Sequence, residues 1–186
     1  MKLLIYILLS FIYLANNQFN DYKNYNYELK ALIDSLNIEA SSIYLFVDKS
    51  DYKLSVMSDS VIIKEYPVVF GGNPTDDKLQ QGDECTPEGS FKVITKYPHK
   101  SWTYFIWFDY PNNGSWKKHN KAKAEGKITQ NAKIGGELGI HGVPEGFDSA
   151  INLKTNWTLG CISLKNKDIK EIYPIIRKEM LIFIQK

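Results

Sequence analysis

A glycine–cysteine pair, Gly160 and Cys161, lies in the segment WTLGCISL at residues 157–164. Glycine lets the backbone approach a substrate closely, and backbone N–H groups around such a turn can form an oxyanion hole. A lone cysteine is more often a buried structural residue than a nucleophile. The octapeptide alone therefore favours a structural role, and a catalytic role for Cys161 requires a second group.

A histidine that could be that second group, His141, lies between two glycines in the segment GIHGVP at residues 139–144. The glycines and the loop predicted to follow leave its ring free to project from a strand end, which suits a general base. A structural histidine that holds a loop is the alternative. The other two histidines, His99 and His119, have polar neighbours and are predicted to be solvated loop residues.

Together, His141 and Cys161 are more informative than either residue alone. A histidine at a strand end and a cysteine on a glycine turn predict a cysteine acyl-transfer enzyme, in which the imidazole activates the thiol for attack on a carbonyl. A third group should orient the imidazole, but no Asp or Asn is obviously placed to do so. The residues thus indicate a nucleophile class and no substrate.

The composition excludes several other classes of protein. The 186 residues carry 23 basic and 21 acidic side chains, a formal net charge of +2, which gives no electrostatic footprint for nucleic acid. Two cysteines and three scattered histidines miss the spacing of a structural zinc site, so no metal is expected. Cys85 is predicted to be an incidental loop residue, with a disulfide cap on Cys161 as the alternative.

The first fifteen residues are predicted to be a secretory signal. A lysine is followed by an apolar run that extends to Ala15, which is typical of signal peptides and short for a membrane span. Because Tyr13 is a poor residue for a cleavage site, an uncleaved anchor is the alternative. Export to the periplasm or the cell surface of a bacterium is expected.

The rest of the chain is predicted to form one β-dominated domain. Residues 16–41 are expected to be a linker with a short amphipathic helix at 28–36, and residues 42–186 the catalytic domain. Strands are predicted from Ser42 onward by alternating apolar residues, and a helix is predicted at 117–125. Asn166 is predicted to cap a last helix that Pro174 should kink or end.

These motifs resemble the catalytic domain of the L,D-transpeptidases, the YkuD-like family. The family core is an Ile-His-Gly strand end followed by a Ser/Thr-x-Gly-Cys block, here residues 140–142 and 158–161, with Cys161 twenty positions after His141. Further similar blocks are residues 71–74, 82–89 and 109–112. The resemblance covers roughly residues 42–184, and the cysteine block matches the subgroup with Trp-Thr-x-Gly-Cys-Ile.

The resemblance implies a mainly β fold, sandwich-like, with two mixed sheets and a few short helices. It implies that Cys161 is the nucleophile, that His141 is the base, and that the main-chain carbonyl of Gly142 orients the imidazole. The implied partners are peptidoglycan stem peptides and a lysine of a wall-attached protein, with no cofactor and no stable protein partner. The substrate-binding candidates around the cysteine are Trp157, Thr158, Gly160 and Ser163.

Two departures from the family pattern affect the expected function. Leu159 stands where many members have a second histidine, and Ser163 stands where many have an arginine that would suit a carboxylate. Transpeptidation, which forms crosslinks or attaches amines, is the first prediction. A hydrolase on the same scaffold, either an L,D-carboxypeptidase or an amidase that releases a wall-linked protein, is the alternative. A non-catalytic peptidoglycan-binding module is the alternative of another class.

Overall fold

The computed structural model describes residues 22–186. The strands in this range are β1 (Ile43–Asp48), β2 (Lys53–Ser58), β3 (Val61–Pro67), β4 (Gly89–His99), β5 (Thr103–Phe108), β6 (Gly139–His141), β7 (Ile162–Ser163) and β8 (Leu181–Gln185). The α-helices are α1 (Leu29–Ser35), α2 (Asn113–Ala124), α3 (Ser149–Asn152) and α4 (Asn166–Ile172), with 3₁₀ turns at Ala40–Ser42 and Tyr173–Ile175. The predicted mainly β fold with a few short helices is confirmed.

All eight strands of this region are joined by hydrogen bonds in the order β3-β2-β1-β8-β4-β5-β6-β7. Two sheets were predicted. The structure has one continuous mixed sheet, because β4 pairs with β8 through its first residues and with β5 through the rest. The pairs β1–β8 and β6–β7 are parallel. The β6–β7 pair places the histidine strand beside the strand that follows the cysteine.

The segment before the sheet packs on the domain. Tyr25 and Leu29 are both buried in the main hydrophobic cluster. The Tyr25 hydroxyl donates to the carboxylate of Asp168 in α4, at 3.1 and 2.9 Å from its two oxygens. Part of the predicted linker is therefore attached to the core. The predicted signal at 1–15 and residues 16–21 lie outside the described residues, and no helix within 22–186 is long and apolar enough to cross a membrane.

Two helix starts differ from the sequence prediction for a physical reason. Helix α2 begins at Asn113, four residues early, because the Asn112 side chain accepts from the backbone N–H of Ser115 and caps it. Asn166 is the first residue of α4 and not its cap. Its side-chain oxygen accepts instead from the Thr103 hydroxyl and the Val143 N–H.

Candidate active site

A cavity of about 610 Å³ contains both candidate catalytic residues. Its walls come from the loop after β3, the β4–β5 turn, the segment before β6 and the loop before β7. The lining residues are Lys78, Gln81, Gly82, Glu84, Trp102, Gly135, Gly136, Glu137, Leu138, His141, Trp157, Thr158, Leu159 and Cys161. The structure thus brings His141 and Cys161 to one concave site, as their spacing predicts.

The turn that presents Cys161 is built by Thr158. The Thr158 hydroxyl donates to the Cys161 carbonyl oxygen at 2.7 Å and accepts from the Gly160 N–H at 3.2 Å. Gly160 has a φ of +132°, and a Cβ there would lie 2.6 Å from the carbonyl oxygen of Cys85. Only glycine tolerates both the backbone angle and the close approach, so the residue before the cysteine is fixed by geometry.

The Cys161 thiol is held in its neutral form. Burial raises the pKa of Cys161 to about 11, while a backbone hydrogen bond from Gly139 and the charge of Lys78 offset part of that effect. Its sulfur lies 4.0 Å from the Glu137 carbonyl oxygen, a weak contact. At neutral pH the thiol must therefore lose its proton to a base in order to attack.

The His141 imidazole is oriented by its own neighbour. Its Nδ1 lies 2.6 Å from the carbonyl oxygen of Gly142. Because a carbonyl oxygen only accepts, Nδ1 carries the hydrogen and Nε2 has the free lone pair. Burial lowers the pKa of His141 to about 4, although the Gly142 carbonyl acts in the opposite direction. The imidazole is therefore neutral and able to accept a proton.

The orienting carbonyl is itself held in place from behind. Ser163 is fully buried, and its hydroxyl donates to the Gly142 carbonyl oxygen at 3.2 Å. The Gly142 N–H donates to the Trp102 carbonyl oxygen at 3.1 Å. A Cβ on Gly142 would come within 2.3 Å of the Asn166 side-chain oxygen. The position of Gly142 is thus set by β7, α4 and the β4–β5 turn together.

The imidazole face is covered by an aromatic residue that sequence analysis missed. The Trp102 ring stacks on His141 with centroids 4.4 Å apart and an angle of 22° between planes. The His99 ring in turn stacks on Trp102, with centroids 4.3 Å apart and an angle of 11°. Such stacking fixes the ring orientation. The sequence offered no local signal for this contact, because the β4–β5 turn lies far from residues 139–164 in the chain.

The predicted substrate-binding residues divide into two groups. Trp157 and Thr158 line the cavity, with the Trp157 indole edge-on to His141 at 5.6 Å. Gly160 and Ser163 do not line it. Gly160 supports the turn, and Ser163 contacts the Gly142 carbonyl.

Two further predictions about single residues are resolved by the structure. His119 was predicted to be solvated, which is wrong: it is 1% exposed, because its face of α2 packs on the loop after β3, with Nδ1 2.6 Å from the Leu79 carbonyl oxygen. Cys85 is a buried free thiol, Cys161 is free as well, and Cys85 does not line the cavity. Within residues 22–186, no cluster of three or more His, Cys, Asp or Glu could hold a metal ion.

Comparisons with known proteins agree with this geometry. A model of the L,D-transpeptidase catalytic domain, YkuD, matches residues 42–184. A search of curated proteins found no match. Among solved structures, Bd1075 of Bdellovibrio bacteriovorus is 22% identical with a TM-score of 0.54, covering 77% of this chain and 48% of that one.

Two more solved structures have the same fold at low identity. The helical cell shape determining protein Pgp2 of Campylobacter jejuni is 21% identical with a TM-score of 0.53, covering 86% of this chain and 55% of that one. An L,D-transpeptidase of Mycobacterium smegmatis is 13% identical with a TM-score of 0.51, covering 78% and 59%. This chain thus spans about half the length of the structures it matches.

Proposed function

This chain belongs to the L,D-transpeptidase catalytic domain family, and we propose that it is a cysteine acyltransferase that acts on peptidoglycan stem peptides. The observation that supports the proposal is one cavity lined by both Cys161 and His141, in which the Gly142 carbonyl holds Nδ1–H and leaves Nε2 free. A nucleophile, a base and a group that orients the base are the parts that acyl transfer requires.

The first half-reaction begins from a neutral pair. With the pKa of Cys161 near 11 and that of His141 near 4, the proton leaves sulfur only as the sulfur–carbon bond forms. His141 Nε2 takes that proton, and the carbonyl of the diamino acid becomes a tetrahedral oxyanion. Collapse of this tetrahedral intermediate breaks the amide bond, and the imidazolium returns the proton to the departing amine. A D-amino acid is released, and the acyl group remains on Cys161 as a thioester.

The second half-reaction decides between transfer and hydrolysis. An amine attacks the thioester, His141 accepts the amine proton, and the thiol departs with that proton. The amine of a second stem peptide, or a lysine of a wall-attached protein, gives transfer; water gives the L,D-carboxypeptidase or amidase outcome. Trp102 and Trp157 supply an apolar wall beside His141, and this favours transfer, since a drier site disadvantages water.

Purified sacculi give the test of the proposed function. Incubation followed by muropeptide mass spectrometry distinguishes crosslinked dimers (transfer), trimmed monomers (hydrolysis) and unchanged material (a binding module). Cys161→Ala should abolish every product, whereas Cys85→Ser, the matched thiol control outside the cavity, should retain activity. Partition of a preformed acyl-enzyme between water and a stem-peptide amine then identifies the acceptor. If hydrolysis dominates even at millimolar amine, the proposed function changes from transferase to hydrolase.

We also propose that the protein works after export, in the periplasm or at the cell surface. The support is the apolar run before Ala15 and a substrate that lies outside the cytoplasm. Fractionation of cells that express the full chain, with the N-terminus of the exported form sequenced, tests both export and cleavage. Retention in the cytoplasm would overturn this part of the proposal alone.

A further inference from the structure

A single lysine lies among the residues that line the catalytic cavity. Lys78, in the loop after β3, is the one Lys or Arg of that lining. Its side chain is 3% exposed, and its Nζ lies 2.8 Å from Asp83 Oδ1. A lysine is rarely buried to this degree without a specific reason. The charge of Lys78 lowers the pKa of Cys161, against the larger effect of burial.

Asp83 holds the ammonium group of Lys78 in place. Its Oδ2 accepts from the backbone N–H groups of Leu79 and Gln80 at 2.7 and 2.9 Å, and its Oδ1 accepts from the Cys85 N–H at 3.1 Å as well as from Lys78. Three hydrogen bonds fix this carboxylate to the loop backbone, and together with the one from Lys78 they keep the pKa of Asp83 below its ordinary value despite burial. Lys78 is therefore anchored at one side.

The ammonium group of Lys78 has unused donors. An ammonium has three N–H groups, and within residues 22–186 only Asp83 accepts from Lys78. Two comparably buried lysines differ. Lys49 donates to Asp76 O, Thr86 O and Glu88 Oε1, and Lys64 donates to Tyr27 O and both oxygens of Glu171. Of these three lysines, Lys78 is the one whose ammonium group keeps N–H donors without a partner among the described residues.

We propose that Lys78 binds the carboxylate of the residue that leaves when Cys161 attacks, and so restricts the enzyme to the free ends of stem peptides. In a terminal residue the carboxylate follows the scissile amide by one Cα, within roughly 3.8 Å of chain. Because Lys78 and Cys161 line the same cavity, a terminal residue whose scissile carbonyl lies at the sulfur places its carboxylate in the cavity that Lys78 lines. This inference rests on the proposed function and adds the specificity determinant.

The remaining charges around the cavity make the recognition local. Glu84 and Glu137 also line it, and both are exposed. With two carboxylates against one ammonium, the cavity has no general attraction for anions. A substrate carboxylate is favoured only where it meets Lys78 directly, by charge-assisted hydrogen bonds.

Two matched donor peptides test the inference. One ends in a D-amino acid with a free carboxylate, and the other is the same peptide with a terminal primary amide. We expect kcat/KM of the wild-type enzyme to favour the carboxylate by about 10- to 100-fold, the range of hydrogen bonds to charged groups. Lys78→Met should bring that ratio close to one, and Lys78→Arg should retain part of it. Lys49→Met, a buried ion-paired lysine outside the cavity, should leave the ratio unchanged.

Each outcome has one meaning. Equal kcat/KM of the wild-type enzyme for both peptides would overturn the role of Lys78, even if Lys78→Met does not fold. If mass spectrometry still detects the acyl-enzyme in that case, the proposed function stands. A ratio that persists in folded Lys78→Met, or falls equally in Lys49→Met, also overturns it. Absence of any acyl-enzyme with either peptide would instead count against the proposed function.

Discussion

The resting protonation of Cys161 and His141 can be measured directly through the reactivity of the thiol. The perturbation is pH, varied from 5 to 11 in the Cys85→Ser variant so that one thiol remains. With the pKa of Cys161 raised from an ordinary 9.0 to about 11, about one thiol in a thousand is ionised at pH 8, against about one in ten for a thiol at the ordinary value. Burial therefore lowers the thiolate population by about 100-fold.

Part of this loss is recovered by nucleophilicity. A thiolate of higher pKa is a stronger nucleophile, with a Brønsted slope of about 0.4–0.5, so two pKa units return about tenfold. Alkylation of Cys161 at pH 8 should thus be about tenfold slower than that of an ordinary thiol equally accessible to the reagent. The rate should rise about tenfold per pH unit up to pH 10, because only the ionised fraction changes.

Iodoacetamide labelling followed by peptide mass spectrometry gives the rate at each pH, with a denatured sample as the reference for accessibility. A plateau between pH 5 and 8 would show a thiolate–imidazolium pair at rest and would refute the neutral pair.

The pH dependence of turnover gives a second measurement. Since the pKa of His141 is lowered to about 4 by burial, acyl transfer should lose activity as the pH falls through about 4, and a loss centred near 6.5 would contradict it.

Three further outcomes follow from the same contacts. His141→Ala should fold and lose at least about 100-fold in turnover, the usual cost of removing an acid–base group; unchanged turnover would exclude it as the base. Ser163→Ala removes the hydroxyl that holds the Gly142 carbonyl and should cost about 1 kcal/mol in the free energy of unfolding, measured by urea denaturation. Ser35→Ala, at an exposed position of α1, is the neutral control. Burial raises the pKa of Asp168 to about 6, so its protonation in the folded state should increase the free energy of unfolding as the pH falls from about 6 toward 4. Asp168→Asn should remove that part of the pH dependence. An identical pH profile of stability in the variant would contradict this prediction.

The sequence was most informative where the chemistry is local in the chain. The turn around Cys161 depends on residues within three positions of it, namely Thr158 and Gly160, and the His141 imidazole is oriented by the carbonyl next to it. The glycine before Cys161 could be read from the sequence alone, whereas the Gly142 carbonyl was implied only by the family resemblance. The mainly β character and the end of α4 before Pro174 could likewise be predicted from local sequence. The first follows from the periodicity of apolar residues, and the second from the N–H that proline lacks.

Residues brought to the site by tertiary structure could not be predicted in this way. Trp102 reaches His141 through the β5–β6 pairing, and Lys78 reaches the cavity from the loop after β3. The segment before β6 contributes Gly135 and Gly136 to the cavity lining, whereas none of its lysines at positions 117–133 lines the cavity. Lys118, for example, pairs with Asp77. His119 was misassigned because polar neighbours concealed the buried face of α2.

The neutral state of the pair is consistent with work outside the cytoplasm. Under the proposed export, the two free thiols Cys85 and Cys161 would meet oxidants that attack thiolates far faster than thiols. Burial raises the pKa of each thiol to about 11, so each is almost wholly protonated at neutral pH. The same burial lowers the pKa of His141, which keeps the base from ionising Cys161 in advance. Activation then requires a carbonyl at the sulfur, because only bond formation makes the thiol acidic enough for His141 to take its proton. On this reasoning, the apolar surroundings that slow alkylation of the free enzyme are also what reserve the nucleophile for a bound substrate.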